Sequence, residues 1–185
     1  TGIDLPGENK GIVHPLESWS ETAPAYFSFG QGISVTSLQL TSAFAAVANG
    51  GMLLKPYVVD AVGQGASHRS LHPRPEIRET PITPETARAL GRMLEGVVQD
   101  GTGRHAQIEG YAVAGKTGTA QKAVPGRGYS ATKFVASFVG FAPARDPKVV
   151  AIVSIDEPQG LTHGGSVAAP IARKVLDRYL LGEGS

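Results

Sequence analysis

The sequence has no cysteine in its 185 residues. Disulfides, thiolate metal sites and a cysteine nucleophile are thereby excluded, while the compartment stays open. Nor does any run approach the roughly 18–20 apolar residues of a membrane span, and no signal peptide opens the chain. A starting Met is missing too: "TGIDLPGENKG" reads as a cut into a longer polypeptide, which leaves room for a targeting or anchoring segment upstream. Charge of one sign is also lacking. The formal net charge is +1 and 18% of residues are charged, so nothing favours nucleic acid or an anionic membrane surface as partner.

What is present is an apolar share of 41%, enough for a core, in a chain of the size of one compact unit. The 24 Gly and 13 Pro forecast many loops. They are dispersed among apolar runs, which excludes a collagen-like or disordered chain. Neither an internal repeat nor a low-complexity tract occurs.

Residues 1–33 read as turn-rich and hold the only tryptophan, Trp19. "SVTSLQLTSAFAAVANGG" predicts a helix, with Ser34 or Thr36 as N-cap, an apolar spacing of Leu38, Leu40, Phe44 and Val47, and a stop at Asn49-Gly50-Gly51. "MLLKPYVVDAV" predicts a short strand or extended segment, and residues 63–82 loop or short edge strands. A second helix is predicted from the Thr83 cap and Pro84 to the stop at Gly101, with Leu90, Met93, Leu94, Val97 and Val98 as its buried face. Strands are predicted over Tyr111–Gln121, "KFVASFVGFAP" and "KVVAIVSIDEP", the last two joined as an antiparallel hairpin by "ARDP". An amphipathic helix over "GGSVAAPIARKVLDRYLLGEG" closes the chain.

The stretch "GYAVAGKTGTA" (110–120) answers to two chemistries. From Gly110 it fits G-x-x-x-x-G-K-[ST], a loop that cradles nucleotide phosphates, and "VVAIVSID" mimics the apolar strand whose closing Asp holds Mg²⁺. That loop needs a strand before it and a helix starting at its Lys-Thr, to aim free N–H groups at phosphate. Here a helix and a loop precede it, and Gly118, Pro125 and Gly126 stand where the following helix should run. From Lys116 the same stretch is Lys-Thr-Gly-Thr on a strand. Alternation then turns Lys116 and Gly118 one way and Thr117 and Thr119 the other. A cation and hydroxyls at a strand rim suit a carboxylate, Gly118 permits close approach, and a strand N–H can serve as an oxyanion donor. An ordinary edge strand with a solvated lysine fits these four residues equally well.

Five blocks occur in order: "TGIDLPGE", "FSFGQGISVTSLQLTSAFAAVANGG", "GKTGTAQ", "FVGFAP" and "HGGSVAAPIARKVL". Together they resemble the C-terminal part of a class B penicillin-binding protein of the division type, over nearly the whole chain and least over residues 61–82. The resemblance implies an α+β fold of the penicillin-binding-protein and serine β-lactamase kind, an antiparallel sheet flanked by helices, here without its N-terminal strands and nucleophile helix. Residues 1–109 would form a mainly helical and loop part, and 110–185 three sheet strands plus the C-terminal helix. The implied activity is peptidoglycan D,D-transpeptidation: a serine attacks the penultimate D-Ala carbonyl of a stem peptide, D-Ala leaves, and an amine of a neighbouring stem takes the acyl group. β-Lactams mimic D-Ala-D-Ala and acylate the same serine. The roles implied for Lys116, Thr117, Gly118 and Thr119 are carboxylate binding and backbone for the oxyanion hole. Implied partners are stem peptides, β-lactams and division proteins, on the outer face of the cytoplasmic membrane, with no cofactor and no metal.

Two motifs of that family are missing. Ser-x-Asn does not occur, and the single Ser-x-x-Lys, Ser130 to Lys133, lies in a Gly-rich loop running into a strand. The chemistry wants Ser and Lys one turn apart on a buried helix start, where desolvation strips the lysine of its proton. The chain alone is therefore expected to be inactive, one wall of a site without its nucleophile. A non-catalytic interaction domain is the third reading, beside the nucleotide module. A sheet lacking its N-terminal strand should also expose an edge and self-associate.

Other candidates are weaker. His163, before Gly164-Gly165 where the resemblance puts residues beside the site, reads either as a pocket residue or as a loop histidine. Phe134 and Tyr129 flank the same strand pair as substrate contacts, with core packing the alternative for Phe134. His68 and His72 have metal-helix spacing, but Pro73 and Pro75 directly after them and the absence of a helical pattern argue against a zinc helix. "GTGRHA" (101–106) resembles a dinucleotide fingerprint but follows a helix, so it reads as a helix stop and turn.

Overall fold

The computed structural model describes residues 1–28, 30–64, 67–124, 126 and 128–182. At the start the chain is folded by its own carboxylates. Glu8 accepts the Gly2 N–H at 2.9 Å, and Asp4 accepts the N–H groups of Val58 and Val59 at 2.7 and 2.9 Å. A 3-10 turn (Leu16–Ser18) leads to a short helix, α1 (Ala23–Ser28), where Trp19 meets Phe27 edge-on with ring centroids 4.5 Å apart. The sequence reads as turns over this stretch. Six residues are too few to show a helical period.

Helix α2 (Ser37–Ala48) starts at a reciprocal cap: Thr36 Oγ1 accepts the Gln39 N–H, and Gln39 Oε1 accepts the Thr36 N–H at 2.9 Å. The stretch expected to be one strand or extended segment is divided. Strand β1 (Leu53–Leu54) pairs with β4 (Ile77–Glu79), and β2 (Ala61–Gln64) pairs with β3 (Ser67–Ser70), all antiparallel. Lys55-Pro56 separates β1 from β2, because proline has no N–H for a ladder. Helix α3 (Pro84–Gln99) begins as expected, with Thr83 Oγ1 accepting the Thr86 N–H.

The expected buried face of α3 needs correction. Val98 is buried as expected and Leu94 and Val97 are half-buried, but Met93 is 68% exposed and Leu90 is exposed, while Ala87, outside the expected face, is buried. α3 packs against the first strand of the main sheet, with Val98 in the core, while Leu90 borders an open apolar cavity of about 450 Å³ beside Ala43, Val47, Leu53 and Ile82.

A 3-10 turn (Arg104–Ala106) precedes the main sheet: β5 (Ala114–Val124), β6 (Gly128–Ala142) and β7 (Val149–Asp156), antiparallel in the order β5-β6-β7. β5 begins three residues later than the predicted Tyr111, which makes only a bridge to Ile108. β6 begins earlier than Lys133, so β5 and β6 run on as a ribbon to Val124 opposite Gly128. The bend over "ARDP" joins β6 to β7 as expected. The expected closing helix is two helices, α4 (Gly164–Val167) and α5 (Ala169–Gly182). Pro170 has no N–H to return to the preceding turn, which explains the interruption. Phe29, Pro125, Glu183 and Gly184, all used in the sequence reading, lie outside the described residues.

The core sits on one face of the sheet. Phe138 of β6 and the half-buried Val149, Ala151, Val153 and Ile155 of β7 pack with Val98, Ala106, Ala172, Leu176 and Leu180. The opposite face, with Val135, Ser137, Ile152 and Ser154, looks onto residues 30–37 and Leu40 at the start of α2. The far edges of β5 and β7 pair with no described strand.

Candidate active site

Register across the ribbon assigns each side chain of "KTGT" to a face. Lys116 lies opposite Val139 and Gly118 opposite Ser137, on the α2 side; Thr117 lies opposite Phe138 and Thr119 opposite Ala136, on the core side. The alternation expected from a strand is therefore observed, and a ligand lying along the free edge of β5 reaches groups of both faces.

On the core side Thr117 and Thr119 line a recess of about 620 Å³ with Thr102, His105, His163, Gly165 and Ser166. Thr119 also lines a recess of about 390 Å³ on the other face, with Gly118, Ser137 and residues 30–37. Gly118 sits tightly against Ser137, since a Cβ there would stand 2.5 Å from Ser137 Oγ and would make that side chain turn away. Gly164 is required by a closer approach: its Cβ would collide with the carbonyl oxygens of Gly118 and Ser137. The start of α4, capped by His163, thus rests on the backbone of β5 and β6, and the Gly164 N–H donates to Thr119 Oγ1 at 3.1 Å.

Lys116 is exposed and donates to the carbonyl of Thr117 at 2.9 Å; it makes no ion pair among the described residues. Farther along, Lys122 of β5 donates to Asp156 and Glu157, each at 2.9 Å, and Lys133 of β6 pairs with Glu157 at 3.2 Å. The bonds to Asp156 and Glu157 raise the Lys122 ammonium above its usual value. The bonds from Lys122 and then Lys133 hold Glu157 below the usual carboxylate value.

The remaining candidates separate. His163 joins the recess of Thr117 and Thr119. Phe134, opposite Gln121, shares their face of the sheet and is half-buried. Tyr129 stands out on the ribbon opposite Ala123, 55% exposed. Ser130 and Lys133 both lie in β6; Ser130 Oγ accepts the N–H groups of Thr132 and Lys133, and the lysine is bound to Glu157. His68 lies opposite Gly63 in the β2–β3 hairpin, and His72 stacks on Tyr57 with centroids 4.0 Å apart. Lys116 and Thr117 stand within β5, which runs on to Val124, where a phosphate loop would need the first turn of a helix.

Two residues of the recess escape the sequence reading. Thr102 Oγ1 lies 2.8 Å from Thr117 Oγ1, and His105 Nδ1 lies 2.8 Å from the Gly165 carbonyl. Their segment reads as a helix stop and turn, which it is. No local pattern announces partners 15 and 60 residues away.

Comparison with known proteins gives this arrangement a setting. The family model described as "Penicillin binding protein transpeptidase domain" matches residues 1–177. Stage V sporulation protein D of Bacillus subtilis is 43% identical over 178 residues, 95% of this chain and 27% of that protein. Penicillin-binding protein PbpB of Mycobacterium tuberculosis is 37% identical, over 95% of this chain and 27% of that protein. The probable peptidoglycan D,D-transpeptidase PenA of Neisseria gonorrhoeae is 35% identical, over 93% and 28%. The chain thus spans little more than a quarter of these relatives. Among solved structures, penicillin-binding protein 3 of M. tuberculosis complexed with ampicillin superposes with a TM-score of 0.88 at 36% identity, over 99% of this chain and 42% of that one. The transpeptidase domain of penicillin-binding protein 3 from Burkholderia pseudomallei gives 0.83 at 36%, over 97% and 52%.

Proposed function

Since the chain belongs to the penicillin-binding-protein transpeptidase family, and within it is similar to the division-type class B enzymes, we propose that it forms one wall of a peptidoglycan D,D-transpeptidase site. In the complete enzyme a serine from another part of the protein attacks the penultimate D-Ala carbonyl of a stem peptide. The bond to the terminal D-Ala breaks, D-Ala leaves with a proton on its nitrogen, and an amine of a second stem displaces the serine from the acyl carbon. A β-lactam enters at the first step, its ring amide standing for D-Ala-D-Ala, and stops at the acyl-enzyme. The work takes place outside the cytoplasmic membrane, where peptidoglycan lies, together with other division proteins.

Within that reaction Lys116, Thr117, Gly118 and Thr119 receive the substrate. The observation that carries this assignment is the free edge of β5, with Lys116 on one face and, on the other, Thr117 and Thr119 lining a recess with His163. A peptide laid along that edge meets unpaired strand N–H groups for its carbonyl oxygens, where negative charge develops in the tetrahedral intermediate. Its terminal carboxylate meets a cation and hydroxyl donors. His163 and Phe134 flank the bound peptide. No helix among the described residues is long and apolar enough to cross a membrane.

The test is acylation of the full-length protein by a fluorescent penicillin. Replacing Lys116 by Ala should slow acylation by about tenfold or more, the weight of a charge-assisted hydrogen bond. The melting temperature should hardly move, because Lys116 is an exposed side chain. Equal acylation of variant and wild type would refute the assignment.

A further inference from the structure

We propose that Thr102 and His105 are positioning residues, which turn the hydroxyl groups of Thr117 and Thr119 into donors aimed at the substrate carboxylate. The inference rests on the carboxylate-binding role given above to β5.

A threonine hydroxyl has one hydrogen to donate and two lone pairs to accept with, so by itself it has no fixed polarity. A carboxylate only accepts. A receptor for it works best when each hydroxyl already has its oxygen engaged by another donor and its hydrogen free. Thr119 meets that condition directly: the Gly164 N–H donates to its oxygen at 3.1 Å, which leaves the O–H to point into the recess. Thr117 meets it through Thr102. Their oxygens are 2.8 Å apart, and with Thr102 as donor the Thr117 hydrogen is free.

The turn that carries Thr102 and His105 is anchored tightly enough to impose these directions. The Gly103 N–H donates to the Val97 carbonyl at 3.0 Å, and the Gln107 side-chain amide donates to the Val98 and Gln99 carbonyls at 3.0 and 2.9 Å. These are the carbonyls that the end of α3 leaves without helical partners. Ala106 is fully buried in the core. At its other end the turn grips the glycine loop. A carbonyl cannot donate, so the 2.8 Å contact of His105 Nδ1 with the Gly165 carbonyl places a hydrogen on Nδ1. A Cβ on Gly165 would collide with the Thr102 carbonyl, so loop and turn are in direct contact. Thr102 therefore acts on Thr117 in one step, and His105 acts on Thr119 through Gly165 and Gly164.

The experiment compares acylation of the full-length protein by benzylpenicillin and by its methyl ester, which lacks the carboxylate. Wild type should prefer the acid strongly. Thr102→Val, which keeps the volume and removes the hydroxyl, should lose about five- to tenfold in acylation by the acid, one hydrogen bond's weight, and change little toward the ester. Thr102→Ser should stay within about twofold of wild type, as expected when one hydroxyl replaces another. His105→Phe should also narrow the preference, and it carries the test if Thr102→Val does not fold. The Thr102→Val/Thr117→Val pair should lose no more than Thr117→Val alone. Equal losses toward acid and ester, additive losses in the double variant, or wild-type behaviour of Thr102→Val with His105→Phe would overturn the proposal. The Lys116→Ala variant separates this failure from the wider one: if it too acylates normally, the carboxylate reading itself has failed.

Discussion

Glu157 carries a prediction that rests on single side chains. Its carboxylate is held below the usual value, 4.5, by hydrogen bonds from Lys122 and then Lys133, one from each strand of the ribbon. A carboxyl group with a depressed folded-state value stabilises the fold above its unfolded value. That contribution disappears as pH falls through the lower, folded value. The melting temperature of the chain should therefore decline as pH falls below the usual carboxylate value of about 4.5, and Glu157→Gln should flatten that part of the decline. A Glu157→Gln profile parallel to wild type would show that the network contributes nothing. The effect should be small, since these groups face solvent, and weaker in salt.

The candidate residues were legible in unequal degrees. Lys116 to Thr119 stand out because a four-residue motif on a strand is local, and alternation alone assigns their faces. Phe134 follows from its place on the same strand pair, and His163 only from the resemblance, by its position before Gly164-Gly165. Thr102 and His105 are silent in the sequence, since a threonine between two glycines after a helix looks like any turn. Their partners are supplied by the fold. Met93 shows the converse: it fits the helical period of α3 and is nevertheless exposed, because periodicity marks the apolar positions and not what covers each of them.

At the level of elements, caps and stops were the most readable features. Thr36, one of the two caps the sequence offered, starts α2, and Thr83 with Pro84 starts α3; the reciprocal bond of Gln39 was not read. The split of the last helix follows from Pro170, a local signal that the periodic reading passed over, whereas the extension of β5 and β6 into a ribbon depends on their pairing with each other; neither was anticipated. The sheet itself has an exposed consequence. β7 carries "VVAIVSI" between β6 and an edge that pairs with no described strand, and such an edge is a template for another chain. The 185-residue chain on its own should therefore dimerise or form swapped assemblies at high concentration, read by light scattering. A charged substitution in the strand, Ile152→Lys, should reduce the association. A monodisperse wild-type monomer at the same concentration would count against it.

On the proposed reading, the molecule as a whole offers a carboxylate clamp, two hydroxyls oriented by an anchored turn and a free strand edge, while the reacting serine comes from elsewhere. Its one Ser-x-x-Lys lies in β6, with the serine oxygen taken by backbone N–H groups and the lysine by Glu157. The central claim is that this chain receives the substrate while the acylated serine lies elsewhere in the complete protein. Intact-mass spectrometry after long incubation with excess penicillin tests it most directly, with the isolated chain and the full-length protein side by side. The account predicts no adduct on residues 1–185 and one adduct per full-length molecule, mapped by peptide digestion to a serine outside this sequence. A stoichiometric adduct on the isolated chain, above all on Ser130, would contradict it.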